Sequence, residues 1–318
     1  MKIKSDLSAE VPDTNAYHLK LEDHDNGTGD LLFYGYNSSR SAVVTDSFSS
    51  FFNNSMPCEF AQKEDHHGYD ALKYDRRFNL VYGICPWTVK WLNQTVEGDR
   101  YRYGFYPFNK KIIPEQQEKE YDVIYHGGIH GPEHEQCLAS ISKFKYQFVT
   151  MTHHINQRTQ KYVPMATRTN LPFLEKVEMV GKCKTSVCYN FVNNEERHFK
   201  NISSWADWQK NYAFKEARRF MPQFKTRMHE AAISKTVNLV MRDPWNLAED
   251  YYVPGKEFLY FDTPHELEEL IDEVSHNWGD YSDIADAAYE RAMNYTTDKF
   301  VQLVESCKNW EGLRSEES

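Results

Sequence analysis

Nowhere does this sequence run to the roughly 18 consecutive apolar residues that a helix needs to cross a bilayer. Its opening, MKIKSDLSAEVPD, also lacks the apolar run of a secretory signal. The expectation is therefore a cytoplasmic protein with no membrane span. Cysteine is scarce: Cys58, Cys85, Cys137, Cys183, Cys188 and Cys307 are scattered and include no Cys-x-x-Cys pair. That excludes a disulfide scaffold and the usual zinc spacings, and reduced, packed thiols are expected. Asn-x-Ser/Thr matches such as Asn37-Ser38-Ser39 mean little without a secretory route. There is also no general excess of positive charge. Lys and Arg number 37 against 47 Asp and Glu, a formal charge of −10, whereas a nucleic-acid footprint would need a basic stripe. Internal repeats and long low-complexity tracts are absent.

The positive charge that is present lies in the middle of the chain. Residues 1–116 carry a net −3, residues 117–243 a net +6, and residues 244–318 a net −13. A basic middle suits a local anion site such as a phosphate pocket; chance segregation of charge is the alternative.

From Tyr121 onward, β-rich runs alternate with segments able to form helices. The runs are Tyr121–Tyr125, Tyr146–Thr150, Thr185–Tyr189, Val237–Met241 and Glu257–Phe261; the helical segments include Glu133–Phe144, Leu171–Lys182 and Phe224–Lys235. This alternation predicts a parallel sheet covered on both faces. The clearest helix is Pro264–Ser275. Thr263 caps it, Glu266 completes a Thr-x-x-Glu box, and Leu267, Leu270, Ile271 and Val274 form one apolar face. A last helical stretch runs from about Tyr281 to Cys307, with a kink or break at Asn294–Thr297. Before residue 117 the pattern is looser. Strands are expected at Leu31–Tyr36, Ala42–Thr45, Asn79–Ile84 and Tyr101–Tyr106, with a helix around Trp87–Asn93. The polar segment Asn109–Glu120 separates the two patterns, so the expected domains are 1–116 and 117–318.

Two motifs could carry chemistry. In YDVIYHGGIHGPEHE, an apolar strand runs into Gly127, Gly128 and Gly131 just before a helix opens. Glycines there let a ligand approach the backbone, and helix-start N–H groups can hold phosphate; a tight turn with no ligand fits equally. No Walker or G-x-G-x-x-G pattern is present. In KTRMHEAAISKTVNLVMRDPW, Lys225, Arg227, His229 and Glu230 precede Ala231-Ala232 and a strand. The cations could face an anion, and a carboxylate such as Glu230 suits ribose hydroxyls. The alternative is a solvated helix start.

These residues carry a resemblance. Tyr121 to about Phe300 resembles the nucleotide-sugar-binding half of a GT-B glycosyltransferase, in the group-1-like and spore-coat-protein-like branches. The likeness lies in DVIYHGG, LPFLEKVEMVGKCKTSVCYN, RMHEAAISKTVNLV, GKEFLYFDTPHELEELI and a closing Ala- and Tyr-rich helix. It implies an α/β fold of two Rossmann-like domains facing across a cleft near residues 107–120. It also implies that Glu230 meets the donor ribose, Tyr189 and Asn190 border the donor, and Lys225 and Arg227 face the diphosphate, with Gly127 and Gly128 at the cleft. Many retaining members have a second Glu that here corresponds to Pro222.

The implied activity is transfer of a sugar from a nucleotide-diphosphate donor to a glycan or other hydroxyl acceptor. No cofactor or metal is expected. Asp23-His24-Asp25 precedes the first good strand rather than following one, and adjacent histidines (His66-His67, His153-His154) point apart on a regular element. An acceptor-side base must reach the acceptor hydroxyl and stay deprotonated. Asp46, at the end of a strand, is the candidate, with Glu59, His66 and His67 as rivals; an N-cap for a helix over Ser47–Phe52 is its alternative role. A nucleotide-sugar epimerase or phosphorylase, or a non-catalytic sugar- or nucleotide-binding module, would fit the same plan. Glu230 is expected to be an exposed carboxylate of little importance to folding, the alternative being a buried ion pair with Arg227 or Arg242.

Overall fold

The computed structural model describes residues 31–34, 40–44, 49–52, 80–83, 89, 93, 101–105, 107–108, 110–129, 131–152, 160–193, 220–222, 224–296, 298–300, 302–303 and 306. The chain divides into two compact units. One is Met1–Lys110 with Asn194–Gln223 and Tyr295–Ser318; the other is Lys111–Asn193 with Phe224–Asn294. The expected 117–318 domain is thus not continuous. Strand and helix periods carry no mark of the unit onto which a later segment packs.

In the first unit, β1 (Leu31–Tyr34), β2 (Arg40–Val44), β3 (Ser49–Phe52), β4 (Leu80–Gly83) and β5 (Tyr101–Tyr103) lie side by side in that order. The pairs β1–β2 and β2–β3 are antiparallel, while β3–β4 and β4–β5 are parallel. A mixed sheet follows from the short connections 35–39 and 45–48, because a parallel pair needs a crossover of about a dozen residues or more. Residues Ser49–Phe52 are therefore a strand paired with β2, which overturns the alternative of a helix over Ser47–Phe52. Asp46 itself lies outside the described residues, as do Asp23-His24-Asp25, Glu59, His66, His67, His153 and His154. Late residues contribute to this core. Phe300 packs edge-on against Tyr82 at 5.4 Å, and the Phe108 N–H donates to the Tyr295 carbonyl at 3.1 Å.

The second unit carries β6 (Tyr121–His126), β7 (Tyr146–Thr150), β8 (Arg168–Thr169), β9 (Cys183–Tyr189) and β10 (Phe191–Asn193). After β11 (Phe220–Pro222), which falls in the first unit, come β12 (Val237–Met241) and β13 (Leu259–Phe261). Six of these strands form one sheet in the order β13-β12-β9-β6-β7-β8, parallel throughout. Its helices are α1 (Pro132–Ile141), α2 (Phe173–Gly181), α3 (Arg227–Ile233), α4 (Pro264–His276) and α5 (Trp278–Ala292). Val123, Ile124, Val187, Cys188, Leu239 and Val240 are fully buried, as expected of central parallel strands covered on both faces. Each such side chain contributes about 1.5–3 kcal/mol of apolar burial.

Local chemistry sets the helix ends. Thr263 Oγ1 accepts from the Glu266 N–H at 3.2 Å, and Glu266 Oε2 reaches back to the Asp262 N–H at 2.6 Å. Leu267, Ile271 and Val274 then face the core. The last long helix stops at Ala292 and gives way to a 3₁₀ turn, Met293–Tyr295, where the break was expected. Just before β6, Lys119 Nζ donates to the carbonyls of Gly181, Cys183 and Lys235 at 2.8, 2.9 and 2.7 Å. This ties the ends of α2 and α3 to the start of β9, whose Cys183 carbonyl also accepts from Thr236 Oγ1 at 3.1 Å.

Candidate functional site

Numbered one to six along the chain, the strands of the larger sheet run 6-5-4-1-2-3 across it. The order reverses between β6 and β9. In open α/β sheets of this order, ligands bind outside the carboxyl ends of the strands at that reversal. Those ends carry His126-Gly127-Gly128 and Tyr189-Asn190. Topology thus brings two separately chosen pairs of residues to one edge.

Glycine at 127 has two causes. Its φ of 141° is one that L side chains rarely adopt, and a Cβ there would lie 1.9 Å from Arg227 Nη2. The Arg227 guanidinium lies against the β6 turn, with Cζ 5.7 Å from the Tyr125 ring. Gly128 offers its carbonyl to the Tyr125 hydroxyl at 2.6 Å. Lys225 is half-buried beside this cation. Its backbone N–H donates to Asn190 Oδ1 at 3.0 Å, while Asn190 Nδ2 meets Met228 Sδ at 3.0 Å. Burial, and then the neighbouring Arg227 charge, push the Lys225 ammonium down to about 7. Asn190 therefore acts on the backbone that presents Lys225.

Tyr189 occupies the expected strand end, but its side chain belongs to the core. The ring packs 4.7 Å from His134 and 5.6 Å from Phe191, and its hydroxyl donates to the Glu133 carbonyl at 3.2 Å. His229 departs from expectation. It is buried between Phe224 at 4.8 Å and Tyr252 at 5.8 Å, with Nδ1 2.6 Å from the Tyr252 hydroxyl. Burial pushes its pKa down to about 3, so it is neutral and adds no charge beside Lys225 and Arg227. Alternation of direction around the seven-residue α3 explains the split: two positions after Arg227, the chain points to the opposite side.

Glu230 requires a correction. It is 2% exposed, and Oε2 lies 2.8 Å from Lys176 Nζ and 3.1 Å from His126 Nδ1. Oε1 accepts from Thr226 Oγ1 at 3.2 Å. Burial alone would raise this carboxyl, but Lys176 and then His126 outweigh it and hold the group well below the usual carboxylate range. Neither Arg227 nor Arg242 is the ion-pair partner; Arg242 Nε pairs with Asp262 at 3.2 Å. Burial lowers the pKa of His126 despite the Glu230 contact. The neutral ring lies between the two groups, with Nδ1 3.1 Å from Glu230 Oε2 and Nε2 3.2 Å from the Ser186 hydroxyl.

Lys176, His126, Thr226 and Ser186 were not singled out in the sequence. Only His126 left a trace, as a polar residue ending an apolar strand and so needing a partner.

Residues 175–304 match the family described as glycosyl transferase-like. Solved structures of similar fold include HepE from Anabaena in complex with UDP and glucose, 10% identical with a TM-score of 0.50 over 75% of this chain. Sucrose-phosphate synthase from Thermosynechococcus elongatus is 11% identical with a TM-score of 0.51, covering 83% of this chain and 67% of that one. TarM is 10% identical with a TM-score of 0.50, covering 78% and 48%. The chain spans 66% of the length of HepE. No curated protein matches the sequence. These likenesses establish an α/β fold of GT-B type. Among the described residues, no helix is long and apolar enough to cross a membrane.

Proposed function

We propose that this chain, glycosyl transferase-like over residues 175–304 and GT-B in fold, transfers a sugar from a nucleoside diphosphate donor to a hydroxyl of a glycan or other acceptor. The observation that carries this reading is the Arg227 guanidinium lying against Gly127 at the end of β6, beside the strand-order reversal. Breaking the bond between the sugar and the diphosphate leaves extra negative charge on the leaving phosphate. In this reading Arg227 and Lys225 stabilise that charge as it develops, without a metal. Gly127 and Gly128 allow the phosphates to approach the backbone, Asn190 holds the Lys225 main chain, and Glu230 takes a ribose hydroxyl. Asp46 is the proposed base that removes the acceptor proton while the acceptor oxygen attacks the anomeric carbon. Pro222, standing where many retaining members have a carboxylate, favours such a direct inverting displacement. A cytoplasmic location belongs to the same proposal.

The test is a melting-temperature screen of UDP, GDP, CMP and dTDP compounds, followed by release of the nucleotide from the matching nucleotide sugar. A compound at about 100 times its Kd stabilises by roughly 2.7 kcal/mol. Turnover unchanged by chelator supports the metal-free reading, and loss of turnover sinks it. Pro222 also favours a second reading, a donor-binding module without activity. Stabilisation with no nucleotide release against any acceptor panel would select that reading.

A further inference from the structure

Around the carboxylate assigned to the ribose, the structure builds more than a single ligand contact requires. Lys176 Nζ and His126 Nδ1 both approach Oε2 of Glu230, at 2.8 and 3.1 Å, and Thr226 Oγ1 donates to Oε1 at 3.2 Å. A carboxylate offers about four lone-pair sites. Thr226 uses one of them on Oε1 and leaves an acceptor site on that oxygen, while Lys176 and His126 stand at ion-pair distance from Oε2. His126 is in turn held by the Ser186 hydroxyl at 3.2 Å. Lys176 runs from the second turn of α2 with its ammonium 4.4 Å from the Phe173 ring, so the position of the cation is also fixed.

We propose that Lys176 is a positioning residue: by pinning Oε2, it aims the remaining lone pair of Glu230 at a ribose hydroxyl and makes the site select ribonucleoside diphosphates over their deoxy analogues. This inference rests on the donor reading above. Its physical basis is that a buried carboxylate reads a hydroxyl only while it stays ionised and in one orientation. His126 is neutral, so the full positive charge in contact with Glu230 comes from Lys176. Without that charge, burial favours the protonated acid, which offers its own O–H and loses acceptor capacity. Lys176 touches no ligand in this scheme; it acts through Glu230.

The test is calorimetric binding of UDP and GDP, and of their 2′-deoxy and 3′-deoxy forms, to the wild-type chain, Lys176→Met, Lys176→Gln, Lys176→Arg and Thr226→Val. Wild type should bind the better ribonucleotide at least roughly tenfold more tightly than one of its deoxy forms, as a charge-assisted hydrogen bond implies. Lys176→Met should collapse that ratio towards one, and Lys176→Arg, which keeps the charge, should restore most of it. A merely structural lysine would instead weaken ribo and deoxy forms alike, and an unchanged ratio in Lys176→Met overturns the inference. If Lys176→Met does not fold, Lys176→Gln decides: it keeps a polar side chain without the charge, and the ratio must still fall severalfold, whereas Thr226→Val, which leaves the ion pair intact, must keep most of it. Binding to wild type without ribose preference defeats this inference alone. If no nucleotide binds at all, the donor reading itself fails.

Discussion

Arg227 and Gly127 share one volume: any side chain at 127 would meet the guanidinium, since even a Cβ falls 1.9 Å from Nη2 and 2.3 Å from Cζ. The atoms in the way are the far end of a flexible side chain, so Gly127→Ala should displace Arg227 rather than unfold the sheet. The φ of 141° adds backbone strain of about 1–3 kcal/mol. We expect a folded variant with a lowered melting temperature and a nucleotide affinity as weak as that of Arg227→Met. An affinity equal to wild type would remove Arg227 from the binding site.

Glu230→Gln should cost stability. Removing one partner of a buried pair typically costs about 3–5 kcal/mol, and the 23% side-chain exposure of Lys176 places this case at the lower end, on the order of 3 kcal/mol. The folded carboxyl sits below its ordinary value of 4.5. Its contribution is therefore present above that pH and is lost as pH falls through the folded-state value. Denaturant midpoints for wild type and variant should converge on acidification. Equal stability at pH 7 would return Glu230 to the exposed role first expected of it.

Lys225 makes binding depend on pH. Its ammonium titrates at about 7 against an ordinary 10.5, so above neutrality the free folded protein has lost a proton that a bound diphosphate would favour. Affinity should be highest below pH 7 and should fall by up to about tenfold per unit above it. Proton uptake on binding, read from calorimetry in buffers of different ionisation enthalpy, checks this directly. The unliganded fold should respond in the opposite sense, gaining stability between pH 7 and 10.5, where the unfolded chain holds the proton and the folded chain does not. No uptake at pH 8 would show that Lys225 stays away from the ligand.

Asp243 opens the turn after β12, where Oδ1 accepts from the Trp245 N–H at 2.9 Å and the Leu247 N–H at 3.3 Å. Burial raises its carboxyl to about 6 against those bonds. A raised folded value means that the favourable contribution is complete below 3.8 and is lost as pH rises through 6. Asn keeps an acceptor for both N–H groups and never ionises. Asp243→Asn should therefore be about 1 kcal/mol more stable than wild type at pH 7.5, with no gain at pH 4. Thermal melts at the two pH values are enough to test it.

Much of the second unit was legible in the sequence because its signals are local. The runs YDVIY, YQFVT and VNLVM became β6, β7 and β12 because strands buried on both faces must be apolar along their length. Thr263 and Glu266 announced α4 because capping satisfies groups within one turn. Two features of the first unit were not legible. Its antiparallel edge depends on connection length rather than strand composition, and Ser49–Phe52 has a run too short to separate strand from helix.

By itself, then, the sequence determined which segments of the second unit become strands and helices, where glycine is needed at the end of β6, and which cations are neighbours of Glu230 along the chain. Tertiary structure alone decided that β6 and β9 are neighbours at the reversal of strand order, and so where a ligand site lies. It also turned His229 into an aromatic core and left Arg227 against Gly127, although the two share one short helix. Above all, it joined Lys176 and His126 to Glu230. The partner of a buried charge is chosen by packing between elements distant in the chain, and no spacing along the sequence encodes that choice.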